Sequence, residues 1–326
     1  NCILLPTLIP TTGIIFFALI KLKGINLGAG KFIAFNSAFG SFLGAMLEIS
    51  AVVLQLNIIK PLYERTRPIL EALPEFDQQK VDPGELEGNI EVSHVNFRYQ
   101  PDGPLILNDV VLEIKKGDYV GIVGPSGSGK STLFRLLLGF EKPESGQIYY
   151  DQQDLDNVDI RAVRRQLGVV LQSGQLMVGS IFDNIVAASP GLTLSDAWEA
   201  ARMAGMEEDI KNMPMGMHTM VSEAGSTLSG GQKQRLLIAR AIISRPKILY
   251  FDEATSALDN KTQKIVSESL GSLGATRVVI AHRLSTIVNC NKIIVMDRGR
   301  VVEQGGYQEL YEKGGLFTQL VNRQLA

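Results

Sequence analysis

Apolar and polar positions are unevenly spread along this chain. From Cys2 to Ile20 no side chain can ionise except Cys2 itself, and between Lys31 and Lys60 the only charge is Glu48. Each stretch holds enough apolar length to cross a hydrocarbon core, which takes ~20 residues of helix. The pattern predicts membrane helices over about 2–20 and 32–60. Pro6, Pro10 and Gly13 in the first are tolerated better there than in a soluble helix. A cleaved signal peptide fits poorly, because there is no initiator Met, no basic leading segment, and a second apolar stretch follows at once. A buried helical hairpin of a soluble protein is the bland alternative. The abrupt start at Asn1 leads us to expect a fragment of a longer membrane domain.

In the second stretch Gly40 and Gly44 stand four apart among Ser37, Ser41 and Ala45, a small-residue ridge that lets membrane helices approach closely. Glu48 falls one turn later on the same face. An acid at that depth points to a substrate contact or, structurally, to a hydrogen bond between helices. Lys21, Lys23 and Lys31 on one side and Lys60, Arg65 and Arg67 on the other leave orientation tied by charge. From Leu62 to Gln79 the pattern turns charged and helical, and Pro83-Gly84 marks a turn. We therefore expect a membrane part with linker over 1–85 and a soluble domain over 86–326.

Composition sharpens this division. The chain has 326 residues, 45% hydrophobic and 20% charged, with 32 Lys+Arg against 34 Asp+Glu for a net charge of -2. Mean hydropathy is nevertheless +0.11, and the first sixty residues contribute to it. A near-neutral chain with no basic tail lacks the clustered cations that coat nucleic acid, so no nucleic-acid partner is expected. Two cysteines, Cys2 and Cys290, cannot form a disulfide framework.

The second part carries chemistry. Tyr119–Val123 is a β-prone run leading into Gly124-Pro125-Ser126-Gly127-Ser128-Gly129-Lys130-Ser131-Thr132, and an apolar helical run, Leu133–Gly139, follows. Strand, glycine loop and helix in that order make a phosphate-binding loop. Glycines let backbone N–H groups wrap the phosphates, Lys130 reaches the β- and γ-phosphates, and Ser131 can ligate Mg²⁺. Further on, the apolar run Ile248–Phe251 ends in Asp252-Glu253. A carboxylate at that strand end, Asp252, can hold Mg²⁺ through water, and the adjacent Glu253 can act as general base on an attacking water. Between these motifs, Leu228-Ser229-Gly230-Gly231-Gln232 is a glycine turn opening a helical stretch, with Ser229 placed to cap it.

Taken together, residues 87–326 resemble the ATP-binding-cassette (ABC) family, whose signature Leu228–Gln232 matches letter for letter. The resemblance implies an α/β P-loop NTPase fold with a RecA-like core, an antiparallel β subdomain and a helical subdomain. It assigns Tyr99 to adenine stacking, and Gln172 to sensing Mg²⁺ and the attacking water. Ser256-Ala257-Leu258-Asp259 would couple the two nucleotide sites, and His282 would contact the γ-phosphate. His94 and His218 match no functional position. In this family two domains pack head to tail, so Ser229, Gly230, Gly231 and Gln232 would serve ATP bound to the phosphate loop of a second subunit.

The apolar stretches ahead of the cassette resemble exporter architecture, which implies a multi-pass protein of the cytoplasmic membrane with its ATPase in the cytosol, in contact with lipid. Val221-Ser222-Glu223-Ala224-Gly225 resembles an exporter cross-talk loop but lacks its arginine. Gln172-Ser173-Gly174-Gln175 and the run to Ser180 look similar to exporters of bacteriocins with nitrile-hydratase-like leader peptides, which implies a peptide substrate. Drug or lipid export is the alternative within the class. A soluble ABC ATPase is disfavoured by residues 2–60 and by the lack of basic or coiled-coil insertions.

Overall fold

The computed structural model describes residues 13–15, 17, 18, 20, 21, 29–72, 80–187, 189, 191–222, 228–252, 258–281 and 283–325. It divides into two compact units, Asn1–Glu75 and Phe76–Ala326.

Most of the first expected membrane helix lies outside the described residues; Gly13–Ile15, Phe17, Ala18, Ile20 and Lys21 are helical. The second is part of one long helix, α1 (Ala29–Glu71), which runs on through Pro61 and Pro68. At 43 residues it is roughly 65 Å long, about twice a hydrocarbon core. Its apolar section and the charged helical pattern after Leu62 are therefore one element. Among the described residues it is the one helix long and apolar enough to cross a membrane. Gly40, Gly44 and Glu48 all lie on it and are exposed.

The second unit begins with backbone that is tied down by side chains. Val81 bridges Val158, Gln153 donates to the Pro83 carbonyl, and Gln166 bonds both Leu86 N–H and the Gly84 carbonyl. The Asp151 carboxylate then accepts the N–H groups of Glu87, Gly88 and Asn89.

Two sheets follow. The first is antiparallel: β1 (Ile90–Phe97), β2 (Leu107–Ile114), β4 (Ser145–Tyr150) and β5 (Gln153–Asp154), in the order β2-β1-β4-β5. The second has β3 (Tyr119–Val123), β6 (Leu167–Val170), β9 (Ile248–Asp252), β10 (Thr276–Ile280), β11 (Lys292–Asp297) and β12 (Arg300–Gly305), in the order β12-β11-β3-β10-β9-β6. Its strands are parallel except β12, which pairs antiparallel at the edge.

The apolar runs are continuous because this sheet is buried on both faces. Val120, Ile122, Ile248, Tyr250, Val278 and Ile280 pack with the β subdomain and helix α2 (Lys130–Leu137). The alternating residues Val123, Leu249, Phe251 and Val279 join the helical subdomain's core instead. That subdomain is built from α4 (Ile181–Val186), α5 (Leu194–Met203), α6 (Glu207–Lys211) and α7 (Gly230–Ile242), with a short pair of strands, β7 (Gly179–Ser180) and β8 (Met220–Val221). A further five-residue helix, α3 (Ile160–Arg164), precedes β6. RecA-like core, antiparallel β subdomain and helical subdomain are thus all present.

Candidate nucleotide site

Parallel register brings the predicted residues to one edge of the sheet. Ile122 of β3 pairs with Ile280 of β10, which pairs with Asp252 of β9, while Val170 of β6 lies opposite Phe251. The C-terminal ends of four strands therefore line up. From them issue the phosphate loop after Val123, the chain to His282 after Ala281, Asp252 itself, and Gln172 after Leu171. With neighbouring strands ~4.8 Å apart, β3 and β9 are roughly 10 Å from each other, a span suited to a phosphate and its cation. Glu253 and His282 lie outside the described residues, as do Ser256, Ala257 and Glu223–Gly225 of the cross-talk loop.

The phosphate loop takes its shape from its glycines. Gly124, Gly127 and Gly129 have φ of 153°, 77° and 101°, a region L side chains avoid. A Cβ on Gly124 would stand 2.1 Å from the Met296 carbonyl oxygen, and one on Gly129 would meet Leu107 at 2.7 Å. At Gly127 the space around such a Cβ is open. Lys130 is 6% exposed. Its ammonium donates to the carbonyls of Gly124 and Pro125 at 2.9 and 2.8 Å and approaches Ser128 Oγ at 3.5 Å. Ser126 and Ser131 are exposed, whereas Ser128 and Thr132 are buried. Tyr99 follows β1 and is half exposed; its ring stands edge-on to Phe97, and its hydroxyl is 3.4 Å from Thr132 Oγ1. The aromatic expected to carry adenine thus lies beside the helix that opens at Lys130.

These residues fit MgATP. A glycine loop with open space beside it, a lysine at the start of a helix and an exposed aromatic alongside suit a nucleotide triphosphate. Ser131 and Asp252 supply the hard oxygen donors Mg²⁺ takes.

The signature turn sits elsewhere. Ser229 caps α7 by accepting Gln232 N–H, and Gln232 Oε1 accepts Ser229 N–H, a reciprocal capping box. Gln232 Nε2 then donates to Asp209 Oδ1, while Arg235 reaches Asp209 Oδ2, both at 2.8 Å. The turn is thereby locked to α6, with Ser229 and Gly230 exposed and Gly231 half-buried.

A second anchor lies behind Gln172. Fully buried Asn184 bonds both the N–H and the carbonyl of Met177, and Arg240 donates to Asn184 and to the Gln175 carbonyl. Lys233 Nζ donates to Gln175 Oε1, which ties the segment after Gln172 to the signature helix. Burial lowers the pKa of Arg240, and the buried carbonyls offset the cost of holding its charge there. Asp209, Asn184 and Arg240 were not legible as site residues, because single polar residues in helices carry no local motif.

Residues 107–256 match the ABC transporter family. The chain is 43% identical over 303 residues to the leukotoxin translocation ATP-binding protein LktB of Mannheimia glucosida, covering 92% of this chain and 43% of that protein. It is 43% identical over 298 residues to the toxin RTX-I translocation ATP-binding protein of Actinobacillus pleuropneumoniae, covering 90% and 42%. A solved bacterial Atm1-family ABC exporter with ATP bound superposes with a TM-score of 0.79 at 34% identity, covering 92% of this chain and 53% of that one. The chain thus spans about two fifths of the length of these curated relatives. The relatives' names specify toxin translocation rather than bacteriocin export. With its motifs in order and a long apolar helix ahead of them in the sequence, the chain carries the ABC transporter family's domain over residues 107–256 and is similar over most of its length to exporters of that family.

Proposed function

We propose that this chain is the ATPase-bearing part of a membrane exporter subunit, and that it drives a secreted protein or peptide across the cytoplasmic membrane. The observation that carries the reading is the alignment of the phosphate loop, Asp252 and Gln172 along one sheet edge, with the signature turn held apart on its own helix. Such a chain carries two half-sites. Its phosphate loop serves one ATP, while Ser229 and Gly231 offer a hydroxyl, a glycine N–H and a helix N-terminus to the ATP of a second subunit.

Bound Mg²⁺ would neutralise charge on the β- and γ-phosphates. Ser131 and Asp252 would hold it, Asp252 by way of a water. Lys130 exchanges its carbonyl partners for phosphate oxygens, and Tyr99 stacks on the adenine. Glu253 takes a proton from the attacking water, Gln172 orients that water, and His282 contacts the γ-phosphate. The polypeptide cargo is supported by the two relatives named for toxin translocation. The bacteriocin reading is one case within that broader class.

The test is turnover and transport by the full subunit in proteoliposomes. Glu253→Gln should retain ATP binding and lose about 10²–10³-fold in turnover, as removal of a general base does. Transport of a labelled polypeptide should stop with it. Undiminished ATPase in that variant would show that another group is the base, and ATP-dependent uptake of a lipid or drug in place of polypeptide would overturn the cargo assignment.

A further inference from the structure

Helix α2 and strand β9 meet through Phe134 and Tyr250. On α2, Ser131 and Phe134 are three apart and share a face. On β9, Tyr250 and Asp252 are two apart and also share a face. Phe134 stands edge-on to Tyr250 with ring centroids 5.4 Å apart. The aromatic pair is therefore one step inward from Ser131 and Asp252, the two groups expected to hold the metal.

A hydroxyl relay fixes this spacing. Tyr150, at the end of β4, donates its one proton to the Leu137 carbonyl at 2.8 Å. Its oxygen stands 2.5 Å from the Tyr250 hydroxyl. Because the Tyr150 proton is committed, Tyr250 must be the donor of that second bond. The order is Tyr250 to Tyr150 to the last residue of α2, and both tyrosines are fully buried. The relay ties the strand carrying Asp252 to the helix carrying Ser131 and to the β subdomain through β4.

We propose that Tyr250, held by Tyr150, is a positioning residue that sets the gap between Ser131 and Asp252 for the divalent cation of MgATP. The inference rests on the metal reading given above and adds residues that no motif marks.

The test uses the full chain, with Mn²⁺ as probe in the presence of a non-hydrolysable ATP analogue, read by electron paramagnetic resonance. Tyr150→Phe strands the Tyr250 proton in a dry site and frees the Leu137 carbonyl. It should weaken Mn²⁺ binding about tenfold, the lower end of the loss seen when partners of metal ligands are removed. Metal-free nucleotide binding should be unchanged, and excess Mg²⁺ should restore the turnover lost. Tyr250→Phe keeps the ring packing and the Tyr150–Leu137 bond, so its loss should be smaller. Unchanged Mn²⁺ affinity in both variants would overturn the proposal. So would a parallel loss of metal-free nucleotide binding, which would make the pair a plain structural tie. Asp252→Ala separates the two readings: if it too leaves Mn²⁺ affinity intact, the metal assignment itself has failed.

Discussion

Gly124 has the least freedom of any residue in the phosphate loop. A methyl group there would press on the Met296 carbonyl at 2.1 Å, and the neighbour is backbone of β11 that cannot rotate away. Gly124→Ala should therefore destabilise the cassette by about 2–4 kcal/mol and abolish nucleotide binding, as thermal unfolding with and without ATP would register. Gly127 is the contrast. Its surroundings are open, so only its φ of 77° resists substitution, and Gly127→Ala should cost about 1–2 kcal/mol. At this scale the phosphate loop was legible because its chemistry is contiguous in sequence. The tyrosine relay was not: Tyr150 and Tyr250 are a hundred positions apart, and each reads alone as an ordinary strand aromatic.

Two elements depend on side chains that no periodicity could flag. The signature helix α7 was expected from its glycine turn and apolar run, and its capping box follows from Ser229 and Gln232 alone. Its attachment to α6 was invisible, because it depends on Asp209 accepting from both Gln232 and Arg235. Asp209→Ala should leave ATP binding to the phosphate loop intact while lowering steady-state ATPase several-fold. A fall in binding affinity instead would place Asp209 in support of the wrong half-site.

The entry to the cassette is the other such element. Burial opposes ionisation of Asp151, but the N–H groups of Asn89, Glu87 and Gly88 outweigh it and lower its pKa. A carboxylate depressed on folding stabilises the fold above its unfolded pKa. It loses that contribution as pH falls through the folded value. The protection factors of the Glu87–Asn89 amides should therefore fall as pH drops below the ordinary carboxylate range. Asp151→Asn should show fast exchange already at neutral pH and little further change on acidification.

At the scale of the whole molecule, the sequence showed two chemistries in one chain, an uncharged apolar start and a near-neutral ATPase. The structure has two compact units, Asn1–Glu75 and Phe76–Ala326. The long helix was read in two pieces because its charge changes at Lys60, although the helix continues through Pro61 and Pro68. A change of solvent alters which side chains a helix carries without ending it. Cargo was least legible.

The central claim is that ATP is held between the phosphate loop of one subunit and the signature turn of another. Ser126 and Ser229 are both exposed, one in each motif. Cys290 is buried and its thiol is pushed up to about 12, so it stays unreactive. The direct measurement co-expresses a Ser126→Cys copy with a Ser229→Cys copy, both carrying Cys2→Ser and Glu253→Gln, and oxidises them with and without MgATP. A disulfide-linked dimer should form with MgATP and only when the two variants are mixed. Failure to form that dimer with MgATP present, alongside an intrachain disulfide in a single chain carrying both cysteines, would contradict it.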